Sequence, residues 1–214
     1  MPEKTGRRRR WPWIVLAALV VVLVPIALVV VPIFTHQPQG SSGQVPTSEQ
    51  WPQVVVGHGE DGRERSFKVL AATPGGEVDT SALRAGDRLV ISGAGYDGSQ
   101  GIYVAICVIP PSPDIKPGPC LGGVPEQEQT EVDEGTVQWA PSNWINDDWA
   151  WRLFGARSYD DVSLGVFTAY LEVPEPVDEG VDCRVDACGI YTRNDHTALS
   201  DRVQDLYVPV GFAG

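Results

Sequence analysis

The chain has 214 residues, with 16 Lys and Arg against 28 Asp and Glu, for a net charge of −12. The charge is divided: residues 1–10, MPEKTGRRRR, hold five bases and one acid, or +4, which leaves −16 on the rest. An acidic surface repels phosphate backbones and anionic lipid headgroups, so DNA and RNA are excluded as partners.

Residues 11–34, WPWIVLAALVVVLVPIALVVVPIF, form a run of 24 without one charge. About 20 apolar residues suffice for a helix to cross the roughly 30 Å hydrocarbon core. A helix satisfies its own backbone there, and the prolines at 25 and 32 are tolerated in such a span. A cleaved signal peptide shares the basic start and the apolar run. This run is longer than a signal's apolar region, however, and no A-x-A-like site follows it, so the expectation is an uncleaved anchor. Four consecutive arginines before the span put the N-terminus in the cytoplasm and the remainder outside, with Trp11 and Trp13 suited to the interface. Residues 35–53, THQPQGSSGQVPTSEQWPQ, have the composition of a linker that holds a folded part (54–214) off the membrane.

From residue 54 the pattern is one of short β-type runs between turn signals. VVV at 54–56 is a first edge, and FKVLAAT (67–73) stops at Pro74-Gly75-Gly76. A strand from Arg88 to Ser92 follows a turn. GIYVAICVI (101–109) is nearly unbroken apolar, as for a strand buried on both faces or in a sandwich core. VSLGVFTAYLEV (162–173) is the longest strand candidate, and CGIYTR (188–193) and DLYVPVGF (205–212) complete the set. Pro209 marks the last as an edge or bulged strand. The set reads as a single all-β sandwich. Two segments interrupt it: acidic EQEQTEVDE (126–134), a solvated loop, and QWAPSNWINDDWAWRLFG (138–155), with Trp139, Trp144, Trp149, Trp151 and Phe154 and a helical turn capped by Asn146 or Asp147. These aromatics either tuck the loop onto the sandwich or form a binding surface, since Trp and Tyr are enriched at hot spots.

Four cysteines, Cys107, Cys120, Cys183 and Cys188, all lie outside the membrane, where an even count fits two disulfides in any of three pairings. The spacing does not suit zinc. GDRLVISGAGYDGSQGIYVAICV (86–108), Cys120 and VDCRVDACGIYTRND (181–195) together resemble the neocarzinostatin family of small actinobacterial apoproteins. The V-D-C-x4-C pair near the end is the most specific element. The resemblance covers about residues 67–212 and implies an immunoglobulin-like seven-stranded sandwich with Cys107–Cys120 and Cys183–Cys188 as the disulfides. Closing the first loop would contribute about 3 kcal/mol in the chain-entropy description. The family's enediyne chromophore is not carried over. Ile109 stands where the family has a cleft tryptophan, PEPVDEGVD (174–182) is too short for its phenylalanine hairpin, and residues 121–160 form a longer insertion.

For catalysis the chain offers little. The histidines are His36 in the linker, His58 in a Gly-rich loop, and His196 beside Asp195, expected to bond a backbone carbonyl or Asp201. There is no G-x-S-x-G elbow. The acids at 147, 148, 160 and 161, with Asn146, lack the calcium-loop pattern. No catalytic residue, metal or cofactor is expected. The expected function is a membrane-anchored, extracytoplasmic binding module for a protein, glycan or small apolar ligand, contacting it through the tryptophans. The alternative is an accessory subunit whose sandwich caps the exterior face of a membrane complex.

Overall fold

A computed structural model describes residues 11–73, 76–123 and 137–213. The basic tail 1–10, Pro74-Gly75 and the acidic segment 126–134 fall outside these residues. The chain divides into two units, residues 1–36 and 37–214.

The first unit holds helix α1, Trp11–Thr35, of 25 residues with Pro25 and Pro32 inside it. At 1.5 Å per residue it is about 38 Å long, longer than a hydrocarbon core of about 30 Å. It is apolar on every side and buries no residue against protein, so length and composition suit a membrane crossing. The Thr35 hydroxyl donates to the Val31 carbonyl (2.9 Å) and closes the last turn.

The second unit is built from antiparallel sheets. One joins β1 (Val54–His58), β2 (Glu64–Ala71), β3 (Arg88–Ala94) and β6 (Phe167–Glu172), in that order. The other has the order β10 (Tyr207–Val210), β9 (Cys188–Asn194), β4 (Ile102–Val108), β5 (Ser142–Ile145). A ribbon of β7 (Val177–Asp178) and β8 (Val181–Asp182) precedes the second disulfide, and α2 (Trp149–Arg152) is a single turn. Period-2 alternation decides which side chains face the core. Phe67 and Val69, Leu89 and Ile91, and Phe167, Ala169 and Leu171 face inward from one sheet. They meet Ile102, Val104, Ile106, Ile190, Val208 and Val210 from the other. Tyr96 ties the two sheets: its ring packs edge-on to Phe167 (5.0 Å), and its hydroxyl is 3.0 Å from that of Thr192 on β9.

The pairings Cys107–Cys120 and Cys183–Cys188 are both present. Pro209 lies in edge strand β10, where its missing N–H costs no ladder bond. The strand expected over 162–173 begins only at Phe167. Asp161 accepts hydrogen bonds from the Ser163 (2.9 Å) and Leu164 (3.0 Å) amides, which folds the preceding residues into a turn. Gly165 completes that turn at φ +58°, where a Cβ would lie 1.8 Å from the Tyr96 carbonyl oxygen.

The expected linker is also part of the folded unit. Val45 N–H donates to the Val56 carbonyl (2.8 Å) and His58 N–H to the Gly43 carbonyl (3.1 Å), lining this segment along β1. The Gln44 amide reaches the other sheet, donating to the Tyr207 carbonyl (2.9 Å) and accepting from its N–H (2.8 Å). These bonds use backbone and one amide side chain, so a polar composition conceals them. The remaining sheet edges are covered too. Ala140 bonds the backbone of β6, and Arg157 exchanges backbone bonds with Trp144 and Asn146 beside β5. Replacing Gln44 with Ala removes both bonds to Tyr207; we expect a loss of about 1–3 kcal/mol in urea unfolding, with faster proteolysis within residues 41–47.

Candidate ligand groove

Strand β4 is buried on both faces, which alternation in a two-layer sandwich does not require. Its outward residues Ala105 and Cys107 pack with Tyr191, and Ile109, Cys120 and Tyr207 lie against them. Much of the cover is the proline-rich loop after β4. It returns alongside its own strand: Cys107 pairs with Cys120 as a disulfide, Val108 N–H donates to the Pro119 carbonyl (3.0 Å), and Leu121 N–H donates to the Ile106 carbonyl (2.8 Å).

Between this loop and the segment running along β1 lies a groove of about 570 Å³. Its floor is Tyr191 and Tyr207, stacked at 4.7 Å between ring centres, with Pro209. Ile109, Pro110, Pro113, Ile115 and Pro117 line one side, and residues 41–47 the other. That volume and apolar lining fit a small-molecule site. Burial pushes the Tyr191 phenol up, aided by the neighbouring Tyr207 and Asp205.

Asp205 also lines the groove and is 8% exposed. Its Oδ2 accepts from Arg202 Nη1 (2.7 Å), while its buried Oδ1 has no hydrogen-bond partner. Burial pushes its carboxyl up to about 7, against the opposing pull of Arg202, of the Asn194 backbone N–H and of Arg193. On the other side of Pro117 a smaller hollow is lined by Lys116, Gly118, Cys120 and Arg193. Arg193 lies over the Tyr103 ring (5.5 Å) and donates to the Pro117 carbonyl (3.3 Å). Burial, then the nearby Arg193 and Arg202, holds Lys116 below the usual lysine range.

The aromatics of the insertion have separate fates. Trp139 packs edge-on to Tyr170 (5.4 Å), with Arg88 over its ring. Trp144 and Trp151 enclose His196, at ring distances of 5.3 and 4.5 Å. The Trp144 indole N–H donates to Asp195 Oδ2 (2.8 Å). Trp149 and Phe154 are exposed, as is Leu153 between them in sequence. The single helical turn is capped by Asp148, which accepts from the Ala150 amide (2.8 Å), rather than by Asn146 or Asp147. Asn146 acts one step earlier, accepting from the Asp148 amide (2.9 Å).

His196 bonds neither a backbone carbonyl nor Asp201 through Nδ1; that atom sits 3.0 Å from the Tyr103 hydroxyl. Asp195 fixes this arrangement. Its carboxylate accepts from Trp144, Asn146 and both the amide and hydroxyl of Thr197, which sets the turn and aims the imidazole at Tyr103. Burial, with Asp195 second, pushes the Tyr103 phenol up to about 12. This cluster is filled by its own side chains, whereas the groove is open. The groove was not foreseen from sequence. Alternation did point Tyr191 away from Ile190, but Asp205 sits in a run, DRVQD, that reads as solvated turn.

No family model, curated protein or solved structure matches the chain. The geometry of the folded unit therefore carries the functional argument.

Trp144→Phe deletes a half-buried donor to Asp195 and is expected to cost about 1–3 kcal/mol in chemical denaturation. Trp149→Ala, at an exposed position, should stay within about 0.5 kcal/mol of the parent. Asp205 binds a proton more tightly folded than unfolded. Its contribution to stability is thus full below its unfolded value near 3.8 and is lost as pH rises through about 7. Unfolding curves from pH 4 to 8 should show Asp205→Asn gaining stability relative to the parent across that window.

Proposed function

We propose that the chain is a single-pass, membrane-anchored binding module with its folded part outside the cytoplasm, and that this part takes a small, mainly apolar ligand in the groove. The observation that carries the reading is the groove of about 570 Å³, with its stacked tyrosine floor and proline and isoleucine side. The apolar helix and the two disulfides support an anchored, oxidised setting. An immunoglobulin-like reading of the sandwich has β2, β3 and β6 facing β10, β9, β4 and β5, seven strands with β1 as an addition. The neocarzinostatin resemblance belongs to the same reading. The contact region moves from the tryptophans to the outer face of the β10–β9–β4–β5 sheet, because Trp139, Trp144 and Trp151 are engaged in internal packing. Exposed Trp149, Leu153 and Phe154 favour the second reading, an accessory subunit that meets a protein partner.

The test uses the full chain in nanodiscs, with 2-methoxynaphthalene as probe. Ring-proton shifts of Tyr191 and Tyr207 report binding, and equilibrium dialysis fixes the free probe concentration. Saturable binding is expected, weakened at least about tenfold by Ile115→Glu, a charge placed on the groove side at a stability change within about 0.5 kcal/mol. Absence of saturable binding would sink the groove reading. In native membranes the chain should resist alkaline carbonate and be released by detergent; release by carbonate alone would sink the anchor.

A further inference from the structure

We infer that the Cys107–Cys120 disulfide is a thiol-exchange site, opened by a dithiol that attacks Cys120 from the hollow beside Pro117, and that opening it loosens the proline-rich side of the groove. The second half rests on the groove reading; the first does not. The two disulfides differ in access. Cys183 and Cys188 are both buried, at 5% and 1% exposure. Cys107 is fully buried as well, but Cys120 is half-buried and lines the hollow with Lys116, Gly118 and Arg193. Gly118 leaves the sulfur uncovered. A Cβ there would stand 3.9 Å from Cys120 Sγ, with no other heavy atom within 4 Å outside residues 117–119.

The charges of the hollow suit the reagent. The attacking group in disulfide exchange is a thiolate, and its rate follows access and the local field. Lys116 and Arg193 place positive charge in this hollow, on a chain that is otherwise acidic. The thiolate sulfur bonds Cys120 Sγ, the disulfide bond breaks, and Cys107 leaves with the electron pair and takes a proton from water. The second thiolate of the reagent then displaces Cys120 from the mixed disulfide, and Cys120 is protonated in turn. The chain gains two electrons, and the reagent is oxidised to its own disulfide. Composition sets what this loosens. Residues 110–117 include Pro110, Pro111, Pro113 and Pro117, which have no N–H to donate. Among the described residues, the only hydrogen bond from this stretch to the rest of the unit joins Arg193 to the Pro117 carbonyl (3.3 Å). The covalent tie at the foot of the loop therefore steadies the side formed by Ile109, Pro113 and Ile115.

The experiment uses the full chain in nanodiscs at pH 8, with free thiols alkylated and located by mass spectrometry. Dithiothreitol should open Cys107–Cys120 at least about tenfold faster than Cys183–Cys188. The anionic monothiol 2-mercaptoethanesulfonate should leave its adduct on Cys120. With each rate taken relative to that on an uncharged disulfide, it should outpace cationic cysteamine at least about threefold. Lys116→Gln should shrink that advantage, and added salt should too. After dithiothreitol, 2-methoxynaphthalene should bind at least about fivefold more weakly, since the loop must then be ordered at the expense of binding. The ring-proton shifts of Tyr96 and Phe167 in the core should be kept. The double variant Cys107→Ala, Cys120→Ala should bind like the reduced chain; should it not fold, the reduced parent carries the test. Both disulfides opening together, an adduct on Cys107, or cysteamine reacting as fast would overturn the exchange site. Loss of the Tyr96 and Phe167 shifts on reduction would overturn the local loosening. If affinity is unchanged by reduction, the groove stands and the loosening falls. If the oxidised chain does not bind the probe, the groove reading and the loosening fall together, and the adduct still decides the exchange site.

Discussion

The two-sided burial of β4 is the constraint around which the folded unit is arranged. Ile102, Val104 and Ile106 fill the space between the sheets, while Ala105 and Cys107 are as deeply buried on the opposite face. A sandwich has only two layers, so that second face needs a third. The chain supplies it in pieces: a proline-rich loop bound back by a disulfide at one end, and a Trp–His–Tyr cluster at the other. Register makes the division orderly. Tyr103 stands level with Trp144 and Arg193, Ala105 with Tyr191 and Ser142, and Cys107 with Gly189. The groove is the part of this face that no piece covers.

Beside that apolar logic runs a buried polar one. The end of β9 and the connection to β10 carry Asn194, Asp195, Asp201, Arg202, Gln204 and Asp205, all buried. Such a segment holds together only if its groups bond one another, because an unmet buried group costs on the order of 1–3 kcal/mol. Gln204 is the hub: its side chain joins Asn194 and the Asp97 amide, and its carbonyl accepts from Thr192. Arg202 closes the network by donating to Asp205 Oδ2 (2.7 Å).

How far this arrangement is legible in the sequence depends on the kind of signal. The strands rest on alternation and turn chemistry, which are local, and β3, β4, β9 and β10 stand close to where those signals put them. Residues 162–166 escaped because Val162, Leu164 and Val166 alternate like a strand, while the Asx-type turn at Asp161 overrides the pattern. The docking of Gln44 escaped because its partner, Tyr207, is 163 residues away. His196 illustrates the same limit. Its neighbour Asp195 was visible, but that Asp195 is already occupied by Trp144 and Asn146 is known only once β5 and β9 flank β4. The groove is hardest of all, since its floor, its sides and Asp205 come from four separate stretches of chain.

The covering of the sheet edges has a further consequence. Residues 43–45 lie along β1, Gln44 bonds the backbone of β10, Ala140 lies against β6, and Arg157 lies against β5. Each outermost strand of the two four-stranded sheets thus has some of its ladder groups engaged from within the same chain. Copies of a protein meet far more often where they are concentrated than in dilute solution. An open strand there is a template for its identical neighbour. By occupying part of its own margins, this sandwich withholds some of that template, so crowding need not become fibrous association.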